Sequence, residues 1–148
     1  MDPKIKNFIN GQWVEATGGK TFESRNPADH RDVVGIVPDS DEKDVDAAVR
    51  AARAAYPIWS SMPAPKRGEI LYRAAEILAQ RKQALGECVT REMGKVIAEG
   101  LGDVQEAIDI SYYMAGEGRR LSGETVPSEL ANKDAKSVRV PIGVFGLI

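Results

Sequence analysis

The chain carries one cysteine, Cys88, and one histidine, His30, so these are the first side chains to weigh for nucleophilic or proton-transfer chemistry. A reactive thiol needs a neighbouring cation or a helix N-terminus to lower its pKa. Cys88 stands instead late in a helical pattern, beside Glu87 and between Leu85 and Val89. Free cysteine is among the most buried residue types, so Cys88 is expected to pack in the core. His30 lies in the polar run Asp29-His30-Arg31-Asp32 with no Ser or Cys constellation around it. It is expected to be a solvated loop residue rather than a general base.

Carboxylates form the next group. Glu92, Glu99, Asp103, Glu106 and Asp109 could suggest acid–base work or a metal, and Glu99, Asp103 and Glu106 share one helix face. No histidine accompanies them, which argues against a transition metal. The simpler expectation is an exposed acidic face. Gly116-Glu117-Gly118, with Leu121 where a third glycine would stand, has part of a dinucleotide fingerprint. It follows a helix rather than a strand, so no helix N-terminus is available for a phosphate. Gly143-Val144-Phe145-Gly146 has the letters of an RNA-clamping loop, but its middle pair is apolar. The residues alone therefore offer no active site.

The elements that would position these groups follow from periodicity. Asn10-Gly11 between Phe8-Ile9 and Trp13-Val14 is a two-residue hairpin signal. Gly18-Gly19 marks a turn, Asn26-Pro27 a loop, and Val33–Val37 a strand ended by Pro38. Ser40 and Asp41 are N-cap candidates for a first helix with Val45, Ala48, Val49, Ala52, Ala55 and Trp59 on its apolar face. Pro57 is expected to bend or end it. Pro63 and Pro65 can start a second helix, buried through Leu71, Ala74, Leu78, Leu85 and Val89. Gly94 breaks the pattern. A third helix presents Ile97, Leu101, Val104, Ile108 and Ala115, with its first turns weakened by Gly100 and Gly102. Strand character returns at Val138 and Val140. The apolar run Val144–Ile148 reads as the start of a buried parallel strand whose continuation is missing.

Bulk properties narrow the class. The chain has 148 residues, 43% hydrophobic and 28% charged, with 20 basic and 22 acidic side chains for a net charge of −2. Its basic residues are interspersed with acids, so no nucleic-acid partner is expected. A lone cysteine allows no internal disulfide. No apolar run suits a signal peptide or a membrane span, so no membrane partner and a cytoplasmic location are expected.

Six short segments, taken in order, resemble the aldehyde dehydrogenase superfamily. They are Ile9-Asn10-Gly11-Gln12-Trp13-Val14, Asn26-Pro27-Ala28, and Asp44 to Val49 continuing to Trp59. Then come Arg67, Leu71, Ala74-Ala75 and Leu78; Thr90-Arg91-Glu92-Met93-Gly94-Lys95 with Glu99; and Pro141-Ile142-Gly143-Val144. The resemblance implies an α/β fold: the N-terminal portion of that fold, with three long helices, short β-hairpins and the first strand of a Rossmann-like sheet. It implies a helical part over 1–122 flanking the nucleotide-binding domain, an oligomerisation β-hairpin over 123–140, and the start of the nucleotide-binding sheet over 141–148. It implies an NAD- or NADP-dependent oxidation of a small-molecule aldehyde to a carboxylic acid, by an intact protein that is a homo-oligomer, a dimer or a tetramer. The stretch from Thr90 to Lys133 resembles members acting on amino-acid-derived semialdehydes.

In the family a cysteine thiolate attacks the aldehyde, hydride passes to the nicotinamide, and a glutamate activates water for release of the acid. None of those groups has a counterpart here, and Cys88 does not match the nucleophile's motif. The catalytic set of these 148 residues is thus empty, and the chain alone is expected to be inactive. Two smaller sites carry over. A structural monovalent cation would be held by Ser24, the Arg25 carbonyl and Glu92, which stands where some members have aspartate. Ile148 would end the first strand, where backbone touches the cofactor. The alternative is a non-catalytic helical oligomerisation module.

Overall fold

Asn10 and Gly11 both take positive φ, 51° and 76°. A two-residue type I′ turn needs that pair of left-handed residues. It joins β1 (Asn7–Ile9) to β2 (Gln12–Val14), with Phe8 opposite Trp13. The computed structural model of the protein describes residues 4–147. A second antiparallel pair, β3 (Thr21–Asn26) and β4 (Asp29–Pro38), shifts register on both sides of Arg25. The Ile5 amide donates to the Ile36 carbonyl at 2.8 Å and ties the start of the described chain to β4.

Helix α1 (Glu42–Ser61) opens on the expected cap. Asp41 accepts the Lys43 amide, and Asp44 reaches back to the Asp41 amide at 3.0 Å. The other oxygen of Asp44 accepts the Thr17 amide and hydroxyl at 2.8 and 2.6 Å. Only 6% of Asp44 is exposed, so this buried carboxylate is satisfied three times over. The Thr17 hydroxyl is the main reason its pKa lies below the ordinary value. Pro57 does not end α1. The helix stops at Met62, whose extended backbone suits the residue before Pro63. Arg67 then donates to the Met62 carbonyl at 2.6 Å and to the Trp59 and Ser60 carbonyls at 3.4 Å.

The expected second helix is two helices, α2 (Ala64–Gln80) and α3 (Lys82–Met93). They part at Arg81, whose φ of −102° and ψ of 8° leave the helical region. No glycine or proline marks the break. Both halves pack on α4 (Ile97–Glu117), and the joint lets each follow it. The interface is closed largely by small residues: Gly68, Ala75 and Gly86 face Gly100, Val104, Ile108 and Ala115. A Cβ on Gly100 would stand 2.6 Å from both the Gly86 carbonyl and the Thr90 hydroxyl. Gly100 is thus a close-approach residue rather than a weak point of its helix. Gly94, where the helical pattern was expected to break, ends α3 as a left-handed cap with φ of 70°.

Beyond α4, β5 (Thr125–Val126) pairs antiparallel with β6 (Ala135–Lys136). Val138 and Val140 lie outside this pair and are exposed. Residues 141–147 form no strand, against expectation. A parallel strand needs a neighbour for its backbone groups, and no described segment pairs with it.

Exposure is unusually high. The accessible surface is 11474 Å², whereas a folded monomer of 16.1 kDa exposes about 7400 Å². The buried apolar set is Ala16, Ala75, Val104, Ile108 and Ala115. The apolar face of α1 is bare, with Val45 62% and Trp59 47% exposed. Cys88 is also exposed, which overturns its expected place in the core. Its helix turns Gly86, not Cys88, toward α4. Among the described residues no helix is long and apolar enough to cross a membrane.

Candidate functional site

Two of the three residues expected to hold a cation sit where the ladder is irregular. Ser24 faces Gly35, and Arg25 faces Val33, so Val34 is left out of register. Such a bulge takes backbone oxygens out of regular pairing. The Arg25 guanidinium points to the Glu23 carboxylate and to the His30 carbonyl at 2.6 Å. Glu92 lies on the exposed side of the last turn of α3, and α3 packs on β3. The set offers one hydroxyl, one carbonyl and one carboxylate, an all-oxygen group that suits a hard cation in kind. Among the described residues no group of three His, Cys, Asp or Glu side chains converges on one point.

The strongest charge contact at this corner was not legible in the sequence. Arg91 grips Asp32 through Nε at 3.0 Å and Nη2 at 2.5 Å, and Nη2 also reaches the Val33 carbonyl at 3.0 Å. Asn26 adds a bond to the same carboxylate at 3.2 Å. The Arg91 fork, helped by Asn26, holds the Asp32 carboxyl down to about 2. Asp32 had looked like one acid among several in a polar run. Its partner lies 59 residues away, beyond the reach of any local pattern.

The other candidates separate. His30 is exposed at the start of β4. Glu99, Asp103 and Glu106 form the exposed acidic face expected of them, with Lys95 on Asp103 at 2.6 Å. That carboxylate is the first reason the Lys95 ammonium is pushed up. Gly116-Glu117-Gly118 closes α4, as expected, and Glu117 pairs with Arg120. Ile148 lies outside the described residues. Among the described residues no strand–glycine loop–helix unit could cradle a dinucleotide phosphate.

Comparison with known proteins places this arrangement. Residues 13–148 match the model of the aldehyde dehydrogenase family. The chain is 44% identical over 144 residues to an alpha-ketoglutaric semialdehyde dehydrogenase of Bacillus subtilis, covering 96% of this chain and 29% of that protein. It is 38% identical over 142 residues to a malonate-semialdehyde dehydrogenase of Bacillus pumilus, covering 96% of this chain and 29% of that one. Among solved structures, an NADP-dependent enzyme of E. coli superposes with a TM-score of 0.86 at 31% identity, over 91% of this chain and 28% of that one. A betaine aldehyde dehydrogenase of Staphylococcus aureus in complex with NAD+ gives 0.86 at 28% identity, over 92% and 28%. The chain therefore spans under a third of the length of these relatives. The hairpins, the split α2–α3 pair and the packed α4 are its share of a larger architecture, and the chain belongs to the aldehyde dehydrogenase family.

Proposed function

We propose that this chain is the N-terminal part of an enzyme that oxidises an aldehyde, an organic-acid semialdehyde by preference, to a carboxylic acid with NAD or NADP. Family membership carries the reading, and the semialdehydes named for its relatives support the substrate class. In the overall reaction the aldehyde gives up hydride to the nicotinamide and gains oxygen from water. The reacting groups belong to chain outside these residues. The part played here is architectural. About 4000 Å² of surface beyond the norm for a monomer of this mass exceeds the roughly 800 Å² that one partner contributes to a standard interface. That excess fits a layer covered by the rest of a larger enzyme better than it fits an independent helical module.

Three further assignments belong to the same proposal. Ser24, the Arg25 carbonyl and Glu92 hold a monovalent cation; replacing sodium or potassium by a bulky organic cation should lower the melting temperature of the wild type and not of a Glu92→Ala variant. The β5–β6 hairpin offers edges for pairing between subunits, so the intact protein is a homo-oligomer, measurable by light scattering. Ile148 contributes backbone to the cofactor site.

The deciding experiment uses the full-length protein. NAD(P)H absorbance is followed with alpha-ketoglutarate semialdehyde, malonate semialdehyde and simple aldehydes, each with NAD and with NADP. Turnover fastest with a semialdehyde is expected. No turnover with any aldehyde, together with no cofactor binding by calorimetry, would overturn the proposal in favour of a non-catalytic module.

A further inference from the structure

Helix α1 meets β1, is tied down by the Asp44 cap and the Arg67 clasp, and along its second half also meets the last described residues of the chain. Val49, Arg53 and Tyr56 stand at positions i, i+4 and i+7, on one face of the helix. Together with Gly143–Gly146 they line a cleft of about 370 Å³. At its edge the Tyr56 hydroxyl donates to the Pro141 carbonyl at 3.4 Å, across 85 residues of sequence. Tyr56 is half-buried, whereas Tyr72, Tyr112 and Tyr113 are exposed. Pro141 has no amide hydrogen, so its carbonyl is the one backbone hydrogen-bonding group it offers. Two residues on, Gly143 takes φ of 119°, a bend that an L side chain rarely adopts. The tyrosine thus grips the chain just before it turns into the apolar segment Val144–Leu147.

We propose that Tyr56 is a positioning residue, whose bond to Pro141 fixes the path of the 141–147 segment along α1. The functional consequence rests on the dehydrogenase reading, in which that segment feeds the nucleotide-binding sheet. A segment held at its entrance presents the following backbone to the cofactor in one register. A released segment does so only part of the time.

Tyr56→Phe in the full-length protein keeps the ring and removes the donor. Hydrogen exchange, read by mass spectrometry, should accelerate in the 141–147 peptide by roughly twofold to tenfold, the factor that the net worth of one hydrogen bond supports. Peptides from α2 to α4 should not change. The cofactor KM should rise by a similar factor while kcat holds. Tyr113→Phe, at an exposed ring, should leave both readouts where they are. Unchanged exchange at 141–147 in Tyr56→Phe would overturn the anchor. Faster exchange with an unmoved cofactor KM would overturn the positioning role. A wild-type protein without dehydrogenase activity would sink the functional reading, and exchange alone would still decide the anchor.

Discussion

Gly100 and Gly102 lie two residues apart in α4, yet alanine should act on them in opposite directions. Both sit inside a helix, where alanine is favoured over glycine by about 1 kcal/mol. At Gly102 nothing among the described residues lies within 4 Å of an added Cβ, so that gain should appear. At Gly100 the Cβ meets the Gly86 carbonyl and the Thr90 hydroxyl, each at 2.6 Å, and the Thr90 amide nitrogen at 3.3 Å. The hydroxyl can rotate away, but the carbonyl belongs to the backbone of α3, which must move by several tenths of an ångström. Overpacking of this kind costs roughly 1–3 kcal/mol. The helix gain offsets part, leaving Gly100→Ala destabilised by up to about 2 kcal/mol. Comparing the two variants cancels the propensity difference and isolates the clash, about 1–3 kcal/mol. Urea denaturation of the full-length protein gives both values, and hydrogen exchange locates the loss at the α3–α4 contact. Equal shifts of the same sign in both variants would refute the close approach of these helices.

Three other outcomes follow from the same structure. Gly94→Ala should destabilise by about 1–3 kcal/mol, since φ is 70° and the new methyl would stand 2.8 Å from Pro27 Cγ; an unchanged urea midpoint would count against the left-handed cap. Asp32 has its folded-state pKa lowered from 3.8 to about 2, so its stabilising effect is complete above roughly pH 4 and lost as pH falls toward 2. Protection of the β4 and α3 amides, taken relative to the intrinsic exchange rate at each pH, should fall through that window in the wild type and fall less in Asp32→Asn, and an identical fall in both would refute the Asp32 contribution. Cys88, exposed on α3, should take up a maleimide in the native 148-residue chain without denaturant; labelling that begins only in urea would contradict its position.

Local chemistry was readable wherever it set structure by itself. Asn10-Gly11 specified its turn, Asp41 its cap, and Gly94 its helix stop. Each of those depends on a few adjacent dihedrals. The joint at Arg81 was not readable, because it arises from the fit of two helices against α4 rather than from a breaker residue. Cys88 misled because its residue type favours burial, while the close contact of α3 with α4 is set by Gly86 and Gly100. The run Val144–Leu147 has the composition of a buried strand but finds no described partner, and composition does not provide one. At the candidate cation corner, Ser24, Arg25 and Glu92 were named through family resemblance. The Arg91–Asp32 clasp beside them was missed because an ion pair across 59 residues leaves no periodic trace.

The bare face of α1 has a consequence for how such a protein is made. Helices α2, α3 and α4 are consecutive and meet mainly one another, a low-contact-order unit of the kind that closes in microseconds to milliseconds. Translation runs at roughly 5–20 residues per second, so for a protein as long as its relatives the remaining chain takes tens of seconds to emerge. Through that interval Val45 and Trp59 stay in water on a helix already capped at its start. If later sequence covers this helix, as proposed above, it would be a natural holding point for chaperones on the ribosome, and Trp59 fluorescence with Trp13 replaced would report the moment of its release.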